Sequence, residues 1–307
     1  MPLYTAYGLQ IDSELPLPGL PSDSTRPVDV KIRFGSVPNN LPDPLGKGGY
    51  FEATHDAFLF RVNTVARYLV VKGSSITIDR APESHEDVLR TFLMGSAFGA
   101  LMHQRRLLVM HASSIQTANG TELFVGPSGH GKSTLLAALV GRGYAMLSDD
   151  VTAIDMECQS GPVAFPSFPS MRLGTDSAAH IGREVDSLPR VRYTDKYVVP
   201  VENFCSEPLP VHAIYALGVH DEPDIRVERV DALRRFSIVA NNTYRYAFLD
   251  SLGLRQFHFK AAAQLAKSVE VYQIIRPAST FMLEELVDRL GVELGQPVEA
   301  TQKQEVG

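Results

Sequence analysis

VGPSGHGKST, residues 125–134, places three glycines directly before a lysine and two hydroxyl residues. Glycine costs conformational entropy, roughly 0.5–1 kcal/mol per residue in regular structure, so the run is best explained by a ligand that must approach bare backbone. Gly126, Gly131, Lys132 and Ser133 match the pattern G-x-x-x-x-G-K-[ST]. In that pattern the loop N–H groups cradle phosphate oxygens, the lysine reaches the β and γ phosphates, and the hydroxyl ligates Mg²⁺. The stretch therefore predicts a loop that binds a nucleoside triphosphate.

The segments around this loop predict the order strand, loop, helix, strand. ELFVG reads as a strand that ends at the loop, STLLAALVGR as a helix that ends at Gly143, and YAMLSDDVTAI as a following strand. This is the order of a nucleotide-binding unit, and the helix start adds its positive dipole end to the site. The alternative is an ordinary strand-to-helix turn, which this placement disfavours. The residues expected to contact nucleotide are Gly126, Pro127, Ser128, Gly129, His130, Gly131, Lys132, Ser133 and Thr134, with His130 at a variable position of the motif.

Two acids, Asp149 and Asp150, lie near the end of the strand after this helix. Ligands collect at the carboxyl ends of strands in such units, so the pair is expected beside the phosphates. Neighbouring strand residues point to opposite sides, so the two carboxylates are expected to act differently. One can hold Mg²⁺, directly or through water, and the other can accept a proton from a hydroxyl nucleophile. An isolated acidic pair would more often be a solvated strand end or an N-cap, but the loop one helix upstream favours a site.

Composition and charge exclude several other classes of protein. The chain has 307 residues, 44% of them hydrophobic, with a net charge of −6 and no block of lysine or arginine, so nucleic acid is not expected as its main partner. Its two cysteines, Cys158 and Cys205, have neither metal-ligand spacing nor the density of a disulfide scaffold. The N-terminus does not show the basic segment followed by an apolar segment that is typical of a secretion signal. The sequence also has no apolar run of about 18 residues, the length that a membrane-spanning helix needs. The expected location is the cytoplasm, without a membrane partner.

The chain divides into three predicted parts. Residues 1–83 form a β-rich accessory or substrate domain, 84–295 a catalytic domain with a mixed sheet and flanking helices, and 296–307 a flexible tail. A small antiparallel unit is predicted from the alternating segments VDVKIRFG, AFLFRVN, RYLVVKG and SITIDR. A helix is predicted from about Ser84, as its N-cap, to Gln104. The proline-rich stretch after Cys158 predicts loops over an edge of the core, before further strands and helices up to about residue 292.

MHASSIQ, followed by GTELFVGPSGHGKSTLLAALVGRGYAMLSDDVTAI, resembles the HPr serine kinase/phosphorylase family. Phosphoenolpyruvate carboxykinases share the core of that family. The resemblance is strong over 107–155 and looser to about 292. It implies a phosphotransferase that uses ATP and Mg²⁺ and phosphorylates a serine hydroxyl. By the same resemblance His111 would help order the γ phosphate or the attacking group. Asp149 would be the general base, and Asp150 would be a metal ligand together with Ser133.

Two basic residues beyond this core are further candidates. Lys196, in TDKYVVPV, resembles the basic residue that reaches over the phosphates from the far side in this superfamily. Arg172, in PSFPSMRLG, is a second candidate, and Arg245, in NNTYRYAF, a weaker one. A fixed cation beside a transferring phosphoryl group can contribute about 10³ or more in rate. Most lysines and arginines are nevertheless ordinary surface residues.

The chain also departs from the HPr kinases. FPSFPSMRL stands where they carry a glycine-rich stretch that is tied to the protein substrate and to the phosphorylase reaction. The N-terminal segments YTAYGLQIDSELPLPGLP and DVKIRFGSVP are similar to those of lasso-peptide precursor kinases, whose acceptor is a C-terminal serine hydroxyl. The expected function is a serine kinase for a peptide or small protein, and a homo-oligomer is one expectation because the related kinases form hexamers. The alternatives are an HPr kinase/phosphorylase, a small-molecule kinase, and a nucleotide-gated binding module without transfer.

Overall fold

A computed structural model describes residues 2–22, 26–181, 184, 188–191, 194–278 and 282–298. They form an eight-stranded N-terminal sheet, a nine-stranded central sheet flanked by helices, and a separate two-stranded sheet. The mixed α/β class expected from the sequence is confirmed. The tail predicted for 296–307 lies outside the described residues from position 299 onward. None of the helices in the described part of the chain is long and apolar enough to span a membrane.

The N-terminal sheet has the strand order β1-β2-β3-β8-β7-β6-β5-β4. Its strands are β1 (Leu3–Ala6), β2 (Leu9–Ser13), β3 (Val30–Phe34), β4 (Gly46–Gly48), β5 (Phe51–Ala53), β6 (Ala57–Val62), β7 (Ala66–Val71) and β8 (Ser75–Arg80). The expectation of a purely antiparallel unit is wrong, because β3 is parallel to both β2 and β8. Parallel neighbours need long crossover connections, and the chain between β2 and β3 and the hairpins between β3 and β8 provide them.

A helical segment follows the N-terminal sheet, as the sequence predicts. It consists of α1 (Glu86–Phe92), a π-helical turn (Leu93–Ala97) and α2 (Phe98–Gln104). Ser84 is not its N-cap: the cap is His85, and the Ser84 hydroxyl instead donates to the carbonyl oxygen of Ala81 at 2.9 Å, within the preceding turn. The helix packs on the sheet, where the Tyr68 hydroxyl donates to the carbonyl oxygen of Leu89 at 3.1 Å.

The central sheet and the two-stranded sheet contain the remaining strands. These are β9 (Leu108–Met110), β10 (Ala112–Thr117), β11 (Gly120–Val125), β12 (Met146–Ser148), β13 (Thr152–Asp155), β14 (Val163–Phe165), β15 (Ser170–Gly174), β16 (Lys196–Pro200), β17 (Leu209–His220), β18 (Arg226–Arg229) and β19 (Glu270–Pro277). The two-stranded sheet is β15 and β16. The remaining helices are α3 (Lys132–Gly141), α4 (Thr175–His180), α5 (Ala232–Asn241), α6 (Tyr246–Ser251), α7 (Arg255–Ser268) and α8 (Leu283–Leu294).

Helices cover both faces of the central sheet because successive residues of its strands point to opposite sides. Phe124 of β11 is buried in one apolar cluster with residues of α3 and α8. Leu123 and Val125 of the same strand are buried in another cluster with residues of α5 and α7. The near-continuous apolar character of β11 therefore reflects burial on both faces.

Two stretches predicted as single strands are each divided in two. LLVMHASSI forms β9 and β10 with a break at His111, and YAMLSDDVTAI forms β12 and β13 with a break at 149–151. The His111 N–H donates to the carbonyl oxygen of Asn242 at 2.7 Å, outside the sheet ladder, and Asp150 has a φ of 68°, which a strand cannot accommodate. Since β9 pairs with β13 and β10 with β12, the two breaks lie at the same level. The fold thus brings His111 to the aspartate pair.

The loop after β11 and the acids after β12 lie at one edge of the sheet. Strand β10 is antiparallel to both β11 and β12, so those two strands run in the same direction with β10 between them. The proline-rich stretch after Cys158, expected to be loops, includes the strands β14, β15 and β16 and the short helix α4. Strand β15 approaches the same edge, where the backbone N–H of Arg172 donates to the Asp149 carboxylate at 2.9 Å.

Candidate functional site

The glycine loop joins the end of β11 to the start of α3 through unusual backbone conformations. Gly126, Gly129 and Gly131 have φ values of 147°, 84° and 88°, which side-chain-bearing residues rarely adopt. A Cβ at Gly126 would also lie 2.9 Å from the carbonyl oxygen of Leu217. Turns of this kind can gather backbone N–H groups into a concavity for anions, here at the N-terminus of a helix. The glycines are therefore required by the shape of the loop.

Lys132 folds back over this loop. Its Nζ donates to the carbonyl oxygens of Gly126 at 2.8 Å and Pro127 at 3.2 Å, and the residue is buried. Burial is the main cause of a lowered pKa of Lys132, which the charges of Asp150 and Asp149 oppose. The charge of Lys196 lowers this pKa further, so Lys196 lies within electrostatic reach of the loop. A buried ammonium group held on carbonyl oxygens is well placed to bind an anion.

Asp149 is the hub of a buried hydrogen-bond network at the start of α3. Its Oδ1 accepts hydrogen bonds from the hydroxyls of Ser133 and Ser113, both at 2.9 Å. Its Oδ2 accepts the backbone N–H of Arg172, also at 2.9 Å. Carboxylate and hydroxyl oxygens are the hard ligands that Mg²⁺ prefers. The donor set of Ser133 and Asp149 therefore fits a magnesium ion.

Asp150 faces a different environment. Its side chain is 33% exposed, whereas Asp149 as a residue is 7% exposed. His111 Nδ1 lies 2.8 Å from the carbonyl oxygen and 3.4 Å from Oδ1 of Asp150, and an Arg172 guanidinium nitrogen lies 3.8 Å from Oδ2. Because a carbonyl oxygen only accepts, the short contact assigns the proton to His111 Nδ1. Asp150 is thus a more open carboxylate beside two basic side chains.

The other predicted loop and phosphate residues occupy varied positions. His130 is half-buried, with Nδ1 3.5 Å from the Ser128 carbonyl oxygen. The Thr134 hydroxyl shares a hydrogen bond of 2.7 Å with the Ser177 hydroxyl of α4. Lys196 is exposed at the start of β16.

Sequence reasoning missed two residues of this site, Ser113 and Tyr7. Ser113 lies within the quoted HASSI segment, two positions after His111, so alternation along β10 could have identified it. Tyr7 lies in the turn between β1 and β2, more than one hundred positions from the loop, with a φ of 52° and 2% exposure. Burial raises the pKa of Tyr7, and the charges of Tyr244 and Asp150 raise it further. No local motif marks this tyrosine.

No protein-family model matches the chain, and no curated protein matches it in sequence. Among solved structures, one described as the Hpr(Ser) kinase/phosphatase from Coxiella burnetii is similar at 15% sequence identity and a TM-score of 0.29. The similarity covers 60% of this chain and 98% of that chain. Values this low carry no functional assignment.

Proposed function

We propose that the chain is an ATP-dependent kinase that transfers the γ-phosphoryl group to a serine hydroxyl of a peptide or small protein. The observation that carries this proposal is the Ser133–Asp149 hydrogen bond of 2.9 Å beside the glycine loop, with Asp150 one residue further in a separate, more open environment. A phosphate loop, a magnesium ligand pair and a second carboxylate are the groups that phosphoryl transfer requires. A module that only binds nucleotide has no need of the second carboxylate.

The nucleotide end of the site is formed by the loop and α3. The backbone N–H groups of 126–131 and the Lys132 ammonium would bind the phosphates, and Ser133 and Asp149 would hold Mg²⁺. When bound, Mg²⁺ neutralises charge that develops on the phosphate oxygens. This gives Asp149 the metal-binding role that the family resemblance assigns to Asp150.

The acceptor end is formed by Asp150. We propose that its carboxylate takes the proton as the serine oxygen attacks the γ phosphorus, while the bond from that phosphorus to the bridging oxygen breaks and ADP leaves with the electron pair. His111 orients Asp150 through its Nδ1–H and the Asp150 carbonyl oxygen. Arg172 lies between the two carboxylates, with its N–H on Asp149 and its guanidinium beside Asp150, and with Lys196 it would stabilise the transferring group.

The acceptor that we propose is the C-terminal serine of a ribosomal precursor peptide. This rests on the similarity of the N-terminal segments to lasso-peptide precursor kinases. Incubation of the chain with ATP, Mg²⁺ and a pool of peptides ending in serine, followed by mass spectrometry, tests reaction and acceptor together. We expect the gain of one phosphoryl group at the terminal serine, and its loss in Lys132→Ala.

Two other outcomes would replace this proposal. If nucleotide binds but no peptide, protein or small hydroxyl compound is phosphorylated, the chain is a nucleotide-gated binding module. If phosphorylated product and inorganic phosphate yield pyrophosphate, the chain has the phosphorylase activity of the HPr enzymes. Adding a carrier protein and small alcohols to the acceptor set separates the remaining kinase alternatives.

A further inference from the structure

A groove lies between the N-terminal sheet and the segment that precedes α6. It has a volume of about 430 Å³, which is within the range of small-ligand sites. Its walls include the aromatic rings of Tyr50, Phe60 and Phe92 and the guanidinium groups of Arg61 and Arg245. A groove of this composition suits a ligand that has both an apolar part and a negative charge.

The two guanidinium groups differ in their partners. Arg61 donates to the Glu52 carboxylate at 3.3 Å. Arg245 lies over the rings of Tyr244 and Phe248, at 5.6 Å and 5.7 Å from their centres. Within the described part of the chain, no carboxylate forms an ion pair with Arg245. Its positive charge is therefore available to a ligand in the groove.

Contacts between neighbouring side chains connect the Arg245 end of the groove to Asp150. The ring of Tyr244, on which Arg245 lies, is 6.1 Å from the His111 ring, and His111 Nδ1 is 2.8 Å from the Asp150 carbonyl oxygen. The Tyr244 N–H donates to the carbonyl oxygen of Val109 in β9 at 2.8 Å, which fixes this segment beside the break at His111. Arg245 is therefore the lining residue that connects the groove to Asp150, whose charge also raises the pKa of Arg245.

Tyr7 does not line the groove, but it is a buried tyrosine within electrostatic reach of Asp150. Its ring packs against Phe98 and Phe168, with ring centres 6.2 Å and 6.3 Å away. The residue is 2% exposed. Burial raises the pKa of Tyr7, and the charges of Tyr244 and Asp150 raise it further. A tyrosine hydroxyl can donate a hydrogen bond to a bound ligand.

We propose that the groove is the acceptor site and that it selects acceptors with a free carboxylate beside the reacting hydroxyl. Arg245 pairs with that carboxylate, and the Tyr7 hydroxyl donates a hydrogen bond to the acceptor. The aromatic wall takes the apolar side chain of the preceding residue. This inference rests on the proposed function and adds the chemical feature by which the acceptor is recognised.

The test compares two pools of the same randomised tetrapeptides ending in serine, one with a free C-terminal carboxylate and one as the carboxamide. Binding of each pool is measured by equilibrium dialysis without nucleotide, and transfer is measured separately by mass spectrometry with ATP and Mg²⁺. A charge-assisted hydrogen bond typically changes affinity by about tenfold or more. We expect the wild-type protein to prefer the free carboxylate by that factor in both measurements.

Three variants and one control test the proposed site. Arg245→Gln is expected to remove the discrimination between the pools, and Arg245→Lys to restore part of it. Arg255→Gln is the matched control, because Arg255 is an exposed arginine paired with Asp250 on the surface. Tyr7→Phe removes the hydroxyl that we propose contacts the acceptor, and it is expected to weaken binding of both pools severalfold.

The outcomes separate this inference from the proposed function. Equal binding of the two pools by the wild-type protein, or unchanged discrimination in Arg245→Gln, would overturn the carboxylate site even if serine is phosphorylated. Preferential binding of the free carboxylate without any transfer would support the site and count against the kinase. Circular dichroism of each variant identifies losses caused by unfolding.

Discussion

Two adjacent aspartates differ in their surroundings, and this difference predicts different effects of one substitution. Asp149 accepts hydrogen bonds from Ser133, Ser113 and the Arg172 backbone, whereas Asp150 is open and lies beside His111. Asp149→Asn removes the charge of the proposed magnesium ligand, so we expect at least about tenfold weaker binding of Mg·ATP. Asp150→Asn removes the proposed base, so we expect retained Mg·ATP binding and about 10²–10⁴-fold slower transfer.

Calorimetric titration of nucleotide and single-turnover transfer distinguish these two effects. The opposite pattern, with tight nucleotide binding and lost transfer only in Asp149→Asn, would restore the roles implied by the family resemblance. Ser113→Ala is a useful companion variant, because it removes one hydrogen bond from Asp149 while leaving both carboxylates in place.

His103 gives the stability of the protein a pH dependence. Its Nε2 lies 2.9 Å from the carbonyl oxygen of Tyr244, its Nδ1 is buried without a partner among the described residues, and burial lowers its pKa to about 4 from 6.5. Because the pKa of His103 is lower in the folded state, the unfolded state binds more protons at pH values between the two pKa values. The free energy of unfolding therefore falls as the pH falls from about 6.5 to about 4. We expect a loss of about 2 kcal/mol between pH 7 and pH 5.

Urea unfolding at the two pH values measures this loss. His103→Gln, which keeps a donor for the Tyr244 carbonyl oxygen but does not titrate, is expected to lose stability less steeply. Part of the slope should remain, because burial also lowers the pKa of His258, whose Nε2 is 2.6 Å from the Thr243 hydroxyl. An identical pH dependence in His103→Gln and wild type would contradict the assignment.

At the scale of elements, the glycine loop predicts an order of sensitivity to alanine. Gly126→Ala would place a Cβ 2.9 Å from the Leu217 backbone carbonyl oxygen, in addition to an unfavourable φ. At Gly131 the nearest atom would be the end of the Arg276 side chain at 3.7 Å, an ordinary contact, so only the φ of 88° is costly, by about 1–2 kcal/mol. We expect Gly126→Ala to lower the melting temperature more than Gly131→Ala, and both to weaken ATP binding. Equal melting temperatures would argue against the close contact with β17.

The elements of the site could be predicted from the sequence, but the breaks in its strands could not. The glycine motif and the apolar run after it identify the loop and α3, since both signals are local. LLVMHASSI and YAMLSDDVTAI read as continuous strands because nothing local reveals that the His111 N–H finds its acceptor at Asn242, about 130 positions later. The reversal of the aspartate roles that we propose depends on the same breaks, because alternation along an unbroken strand cannot give the conformation of Asp150.

At the scale of the whole molecule, the N-terminal sheet and the central sheet share one apolar core. That core contains residues of the first sheet such as Phe58, together with Val109 and Val151 of the central sheet region and Phe248 of α6. This core includes Tyr7, which lies within electrostatic reach of Asp150 and Asp149. No sequence pattern predicted this shared core, because each of the segments that meet there has an ordinary helix or strand periodicity of its own.

Phe248 tests whether this shared core supports the acceptor groove. Its ring lies 4.5 Å from Phe58 and 4.8 Å from Phe51, and the Arg245 guanidinium lies 5.7 Å from its centre. Phe248→Ala is expected to lower the free energy of unfolding by about 3–5 kcal/mol and to weaken binding of the free-carboxylate peptide pool, because Arg245 loses one of its two aromatic supports. Leu252→Ala is the matched control: Leu252 is fully buried in the same core, and its deletion should lower stability by about 2–5 kcal/mol while leaving peptide binding unchanged. Measured under conditions in which both variants are folded, equal weakening of peptide binding would mean that the core acts on the groove only through overall stability.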